Sequence, residues 1–177
     1  MQDLMTIDSH GSLVEPATLR IQRLLPGPIE RVWSYLTDGE LRRRWLAAGE
    51  MALQIGAPFE FVWRNDELTD PPGRRPDDFG AEHRMQSTIT ELDPPRLLGF
   101  GWSDGSAVTI ALEPAGERVL LTLTHGRVRQ HSTLLGVSAG WHLHLDLLAA
   151  RLGGTDPGVF WDDWRRLRDD YGSRFQA

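Results

Sequence analysis

Residues 26–46, with the sequence PGPIERVWSYLTDGELRRRWL, decide the fold of this chain. They follow a strand-like segment at 17–25 that runs straight into a proline. Pro28 suits the first turn of a helix, because its missing N–H would have no helical partner there. Three apolar residues then recur at helical spacing and predict a first short helix: Val32, Trp33 and Leu36.

A second short helix is predicted directly after the break at Thr37-Asp38-Gly39. Asp38 can cap this helix, because a carboxylate accepts hydrogen bonds from the unpaired N–H groups of a first turn. Leu41 and Trp45 lie four residues apart and therefore share one face. A strand followed by two short helices is thus the expected start of the domain.

After Trp45 the pattern changes to alternation of apolar and polar residues, which predicts antiparallel strands. The strands are expected at 51–55, 59–63, 81–92, 97–102, 108–112 and 119–123. Met51, Leu53 and Ile55 would give the first of these a buried face. Residues 64–80 are polar and rich in proline and aspartate, which is typical of a long loop that is either mobile or a lid. The short spacing of the strands predicts a meander rather than a doubly wound parallel sheet.

Two helical patterns close the chain. Leucine and other apolar residues recur at a spacing of three or four over 133–152, and Gly153-Gly154 ends the run. Residues 156–175 predict a short amphipathic helix, which we expect to pack on its own domain. Its apolar face is also the first candidate surface for a homodimer. We divide the chain into a flexible N-terminal extension at 1–16, a domain at 17–154 and a helical C-terminal extension at 155–177.

Composition excludes several functions. The net charge of −6 argues against nucleic acid or an anionic membrane surface as the main partner. There is no cysteine, so disulfides and thiolate chemistry are excluded, and all 19 basic residues are arginine, which excludes lysine chemistry. Met1 to Leu13 lacks the basic start and apolar core of a secretory signal, and no apolar run suits a membrane-spanning helix. We expect a soluble cytoplasmic protein.

Two local patterns imitate catalytic sites. His142-Leu-His144-Leu-Asp146 has the spacing of a metallo-hydrolase site, but residues two apart on a helix point away from each other. We therefore predict no metal, and expect His142 and Asp146 as an exposed pair with His144 at a cavity edge. Gly136-Val-Ser138-Ala-Gly140 copies a nucleophile elbow, yet it follows an antiparallel strand and is interpreted as close helix packing. No catalytic residue and no cofactor are predicted.

The order of elements around 26–46 resembles the start of the heat-shock-protein ATPase activator homologue (Aha-type) family, in the START-like (SRPBCC) helix-grip superfamily. Asp93-Pro-Pro-Arg-Leu97, Leu123-Thr-His125 and Gly140-Trp141 resemble later parts of that family, so the resemblance covers 17–152. It implies an α+β helix-grip fold, in which a curved antiparallel sheet wraps around a long C-terminal helix, with two short helices after the first strand. It also implies a cavity that usually binds something apolar.

Aromatic residues dominate the strands that would face this cavity. Every second residue of 59–63 is aromatic, and Leu98, Phe100 and Trp102 share a face on a later strand. These rings would either fill the interior or line a pocket for a flat apolar ligand. The candidate cavity residues are Trp33, Trp45, Phe59, Phe61, Trp63, Phe100, Trp102, His125, Trp141 and His144.

Three functions remain open at this point. We favour a binding protein for a small apolar or aromatic ligand, without catalysis. A cyclase or hydrolase of the same superfamily would need an acid or base in the cavity, and only His144, His125 and Tyr35 offer one. An ATPase-activating co-chaperone is implied by the family name. Eukaryotic members with that activity have an additional N-terminal domain, whereas about 16 residues precede the shared core here.

Overall fold

The computed structural model describes residues 6–176. Within this range, seven strands form one antiparallel sheet: β1 (Ser12–Glu15), β2 (Thr18–Pro26), β3 (Pro58–Trp63), β4 (His83–Asp93), β5 (Leu97–Gly101), β6 (Ala107–Ala115) and β7 (Arg118–Gly126). Four α-helices accompany them: α1 (Ile29–Thr37), α2 (Gly39–Arg42), α3 (His131–Gly153) and α4 (Phe160–Arg174). None of these helices combines the length and apolar character needed to cross a membrane.

The strand order is β1-β2-β7-β6-β5-β4-β3. The short helices α1 and α2 carry the chain from β2 to β3 at the far edge, and the meander returns strand by strand until β7 pairs with β2. Helix α3 lies against the inner face of the sheet, where Trp141 reaches His125 of β7 and Asp146 reaches Arg23 of β2. This arrangement confirms the predicted α+β helix-grip fold.

The opening stretch folds as its sequence predicts. Asp38 caps α2, since its carboxylate accepts hydrogen bonds from the backbone N–H groups of Glu40 and Leu41 at 2.9 and 3.1 Å. Trp45 is fully buried and donates its indole N–H to the carbonyl of Tyr35 at 2.8 Å. The two short helices are therefore locked to each other by a cap and by a buried indole.

Arg42 is buried, although the sequence pattern gives no sign of it. Only 1% of it is exposed, and its guanidinium donates hydrogen bonds to the carbonyls of Leu36, Thr37, Ala47 and Gly49. Its carbon Cζ also lies 5.4 Å from the ring centre of Phe61. Burial lowers the pKa of Arg42 to about 10, so the side chain remains charged at neutral pH. One arginine thus ties the end of α1 to the segment that leads to β3.

The predicted strand at 51–55 is wrong. That segment is irregular, and Leu53 and Ile55 are 44% and 63% exposed. The backbone between α2 and β3 pairs at a bridge between Ala48 and Val62, and Gly56 and Ala57 form hydrogen bonds with Ile89; none of these contacts involves residues 51–55. Gly49 ends this bridge at a φ of +126°, a backbone conformation that does not extend into a strand. Three alternating apolar residues were therefore too few to predict a strand directly after the turn at Gly49.

Both segments outside the predicted domain at 17–154 form regular secondary structure that contacts this domain. Residues 12–15 of the predicted flexible extension form β1, which adds an edge strand to β2. Helix α4 lies within the segment predicted as an amphipathic helix and packs against α3, with Phe160, Trp161, Leu167 and Tyr171 buried. The first five residues lie outside the described range.

Gly49→Ala should destabilise the fold. A Cβ at this position would lie 1.9 Å from the backbone oxygen of Glu60, and the positive φ adds strain. We expect the free energy of unfolding, measured by urea denaturation, to fall by about 3 kcal/mol. Gly56→Ala is the control, because Gly56 has a φ of +85° but open space around it, and should cost only about 1 kcal/mol. Equal losses would contradict a packing role for Gly49.

Candidate functional site

A cavity of about 350 Å³ lies between one end of the sheet and the helices α3 and α4. Its volume falls within the usual range for small-molecule sites. The sheet contributes Trp63, Met85 and Trp102, and the loop between β3 and β4 closes one side. Five tryptophans and two phenylalanines line it: Trp63, Trp102, Trp141, Trp161, Trp164, Phe79 and Phe160.

Four of the ten candidate residues line this cavity: Trp63, Trp102, Trp141 and His144. The other six do not, and are buried in the core: Trp33, Trp45, Phe59, Phe61, Phe100 and His125. Both strand triplets face inward, which was the condition for their rings to fill the interior or to line a pocket. The rings of Phe59, Phe61 and Phe100 fill the interior, where they pack edge to face with 4.9 to 6.2 Å between ring centres. Only the last ring of each triplet reaches the open space.

His144 presents a hydrogen-bond acceptor to the cavity. Its Nδ1 lies 2.8 Å from the carbonyl oxygen of Trp45, and a carbonyl can only accept, so the proton sits on Nδ1. Burial lowers the pKa of His144 to about 4, which keeps the imidazole neutral at pH 7. The lone pair of Nε2 has no partner among the described residues and is therefore available to a ligand.

His125 lies behind the wall and fixes one of its tryptophans. Trp141 donates its indole N–H to Nδ1 of His125 at 3.1 Å, so the proton of His125 sits on Nε2. Nε2 donates to Oγ of Ser106 at 2.7 Å, and Ser106 donates to Asp104. Burial lowers the pKa of His125 to about 4. In this relay serine bridges histidine and aspartate, which is not the order of a catalytic triad.

The outer wall is built from α4 and the loop between β3 and β4. Trp161 donates its indole N–H to Asp66 at 2.7 Å and its backbone N–H to the carbonyl of Pro72 at 2.9 Å. The backbone N–H of Phe160 binds Oγ1 of Thr69 at 3.1 Å. Phe79 packs on Trp161 and Trp164, with ring centres 5.3 and 5.0 Å apart. These contacts tie the loop predicted at 64–80 to the C-terminal helix.

This outer wall was missed in the sequence. The spacing of Phe160 and Trp164 predicts the helix and its apolar face, but not what that face covers. Phe79 stands in a polar loop with no periodic pattern around it. Its position depends on the path of the loop, which long-range contacts with α4 determine.

The prediction that His142 is exposed is wrong. His142 is 5% exposed, because α4 covers it. The hydroxyl of Tyr171 accepts a hydrogen bond from the backbone N–H of Gly11 at 2.7 Å and shares a second hydrogen bond with Nδ1 of His142 at 2.9 Å. Nε2 of His142 faces Asp146 at 3.3 Å, and Asp146 also accepts from Arg23 at 3.1 Å. Within residues 6–176 no group of acidic or histidine side chains is arranged to hold a metal.

Tyr171→Phe should cost about 1–2 kcal/mol in the free energy of unfolding, because two buried polar groups lose their partner. The matched control is Tyr35→Phe. Tyr35 accepts one hydrogen bond from Arg44, which is exposed and can bind water instead, so we expect a loss below about 0.5 kcal/mol. Chemical denaturation measures both. An unchanged stability in Tyr171→Phe would contradict the proposed network.

The comparisons with known proteins agree on the fold. The family model described as "Activator of Hsp90 ATPase homolog 1-like protein" matches residues 26–153, which leaves α4 outside the match. None of the curated proteins compared with the chain matches it.

Solved structures extend the likeness to almost the whole chain. A Bordetella parapertussis protein, encoded by gene BPP1335, is 37% identical with a TM-score of 0.81, and the match covers 96% of this chain and 92% of that one. CalU16 from Micromonospora echinospora is 21% identical with a TM-score of 0.67, over 90% and 89% of the two chains. DynU16, from the dynemicin biosynthetic locus, is 20% identical with a TM-score of 0.64, over 81% of this chain and 50% of that one. The last two show the fold alone. The chain belongs to the Activator of Hsp90 ATPase homolog 1-like family, within the START-like superfamily.

Proposed function

We propose that this chain binds a small, flat apolar ligand in the cavity between sheet, α3 and α4, without catalysing a reaction. The observation that carries the proposal is the open space of about 350 Å³ walled by seven aromatic rings. Rings of this kind normally fill a core completely, because packed aromatics stabilise it. An open cavity lined by such rings is typical of a small-molecule binding site.

The three acid–base candidates named from the sequence support binding rather than catalysis. Both nitrogens of His125 are engaged, by Trp141 and by Ser106, so neither can take a proton from a ligand. A histidine with a pKa of about 4, as in His144, is a weak base at neutral pH. Tyr35 does not line the cavity, and its hydroxyl accepts a hydrogen bond from Arg44. We therefore assign His125 to holding Trp141 in the cavity wall and His144 to orienting the ligand.

Native mass spectrometry of protein purified from its own host tests the proposal. We expect a species heavier than the bare chain of 20.0 kDa, which loses the extra mass when the protein is denatured. If the host-purified protein has only the chain's mass and no aromatic probe binds it, the proposal is wrong. ATPase stimulation of Hsp90 by the purified chain would favour the co-chaperone alternative instead.

A further inference from the structure

We infer that the ligand of this cavity carries a protonated amine on its flat apolar group. The inference rests on the proposed function and narrows it to a class of ligand. It follows from three features of the wall, which are its tryptophan rings, its charges and the direction of its hydrogen-bonding groups.

The tryptophan rings form surroundings that suit a cation. Trp102 lies between Trp63 and Trp141, with ring centres 5.8 and 5.6 Å apart. Trp161 and Trp164 lie 6.0 Å apart on the opposite wall. The negative faces of aromatic rings attract cations, and tryptophan does so most strongly. The same rings also offer flat surfaces to an apolar ring.

Two carboxylates line the cavity, those of Asp78 and Glu82, together with the imidazole of His83, and no arginine of the described residues lines it. Glu82 is neutralised by Arg64 and Arg84, at 3.0 and 2.9 Å. Asp78 forms no ion pair with any residue in the described range. Asp78 is exposed, so the rim of the cavity carries one unpaired negative charge in contact with water, which favours a cationic ligand over an anionic one, though less strongly than a buried charge would.

The polar groups with a known direction are acceptors. His144 offers the lone pair of Nε2, and the carboxylate of Asp78 is also an acceptor, whereas Oδ1 of Asn65 has no partner in residues 6–176 but is closed even to a water-sized probe. The indole N–H groups of Trp141 and Trp161 are already bound, to His125 and Asp66. An ammonium group carries three donors and no acceptor, so it complements these groups.

Three probes of nearly equal size test the inference: 2-naphthylmethylamine as the cation, 2-naphthylmethanol as the neutral analogue and 2-naphthoate as the anion. Quenching of tryptophan fluorescence reports their affinities. We expect the amine to bind the full-length protein at least tenfold more tightly than the alcohol, and the carboxylate to bind most weakly.

Asp78→Asn should weaken binding of the amine about three- to tenfold and leave the alcohol unchanged, because only the charge is lost. The matched control is Asp77→Asn, since Asp77 lies next to Asp78 but does not line this cavity. It should leave both probes unchanged.

The outcomes separate the two proposals. If the alcohol binds as tightly as the amine, or if Asp78→Asn weakens both equally, the inference is overturned while the proposed function stands. If none of the three probes binds, the proposed function fails and the inference fails with it.

Discussion

Arg42→Met is expected to lower the free energy of unfolding by about 3–5 kcal/mol, the largest loss among these variants. Methionine keeps much of the apolar stem but donates no hydrogen bond. The carbonyls of Leu36, Thr37, Ala47 and Gly49 would lose a shared donor that is itself almost completely buried. The junction between α1, α2 and β3 would loosen as a result.

Arg43→Met is the matched control for this variant. Arg43 is the next residue, but its side chain is 44% exposed and its ion pairs join it to exposed carboxylates of Glu40 and Glu67. Exposed pairs of this kind contribute about 0–1 kcal/mol, so the control should unfold almost like the wild type. Urea denaturation measures the free energy of unfolding of both variants. Similar losses of this free energy in the two would show that the burial of Arg42 has no special role.

Gly140→Leu is expected to reduce ligand affinity at least tenfold without destabilising the fold. Gly140 is in α3 and lines the cavity, and a Cβ built there meets no atom within 4 Å. A leucine side chain would occupy space that we assign to the ligand. Replacing a mid-helix glycine also raises helix propensity by about 1 kcal/mol, which should maintain or increase Tm.

Gly172→Leu is the control for the added side chain. Gly172 is in α4, has similarly open space and does not line the cavity. We expect this variant to bind 2-naphthylmethanol like the wild type in a fluorescence titration. If Gly140→Leu also binds like the wild type, the ligand does not occupy this cavity.

The fold was largely predictable because its signals are local. Asp38 caps α2, as its position before that helix predicts. The apolar face of α4 is buried, as the spacing of its apolar residues predicts. The prediction of a strand at 51–55 was wrong, because three alternating residues do not form a strand directly after the turn at Gly49.

The site was less predictable, because long-range contacts determine it. His142 looked exposed on its own helix, and only the packing of α4 buries it. Arg42 has a polar sequence context that gives no sign of burial. Trp161 and Phe79 meet only because a loop crosses to α4. Alternation predicts the inward direction of Trp63 and Trp102, but it does not separate them from Phe59, Phe61 and Phe100, which fill the core.

Indole N–H signals in a ¹H–¹⁵N NMR titration test the central claim most directly. The chain has seven tryptophans, of which five line the cavity, while Trp33 and Trp45 are buried elsewhere in the core and serve as internal controls. On addition of 2-naphthylmethanol, we expect the five cavity signals to shift with one common Kd and the two control signals to stay in place. If the cavity signals do not shift, or if Trp33 and Trp45 shift equally, the ligand does not bind in this cavity.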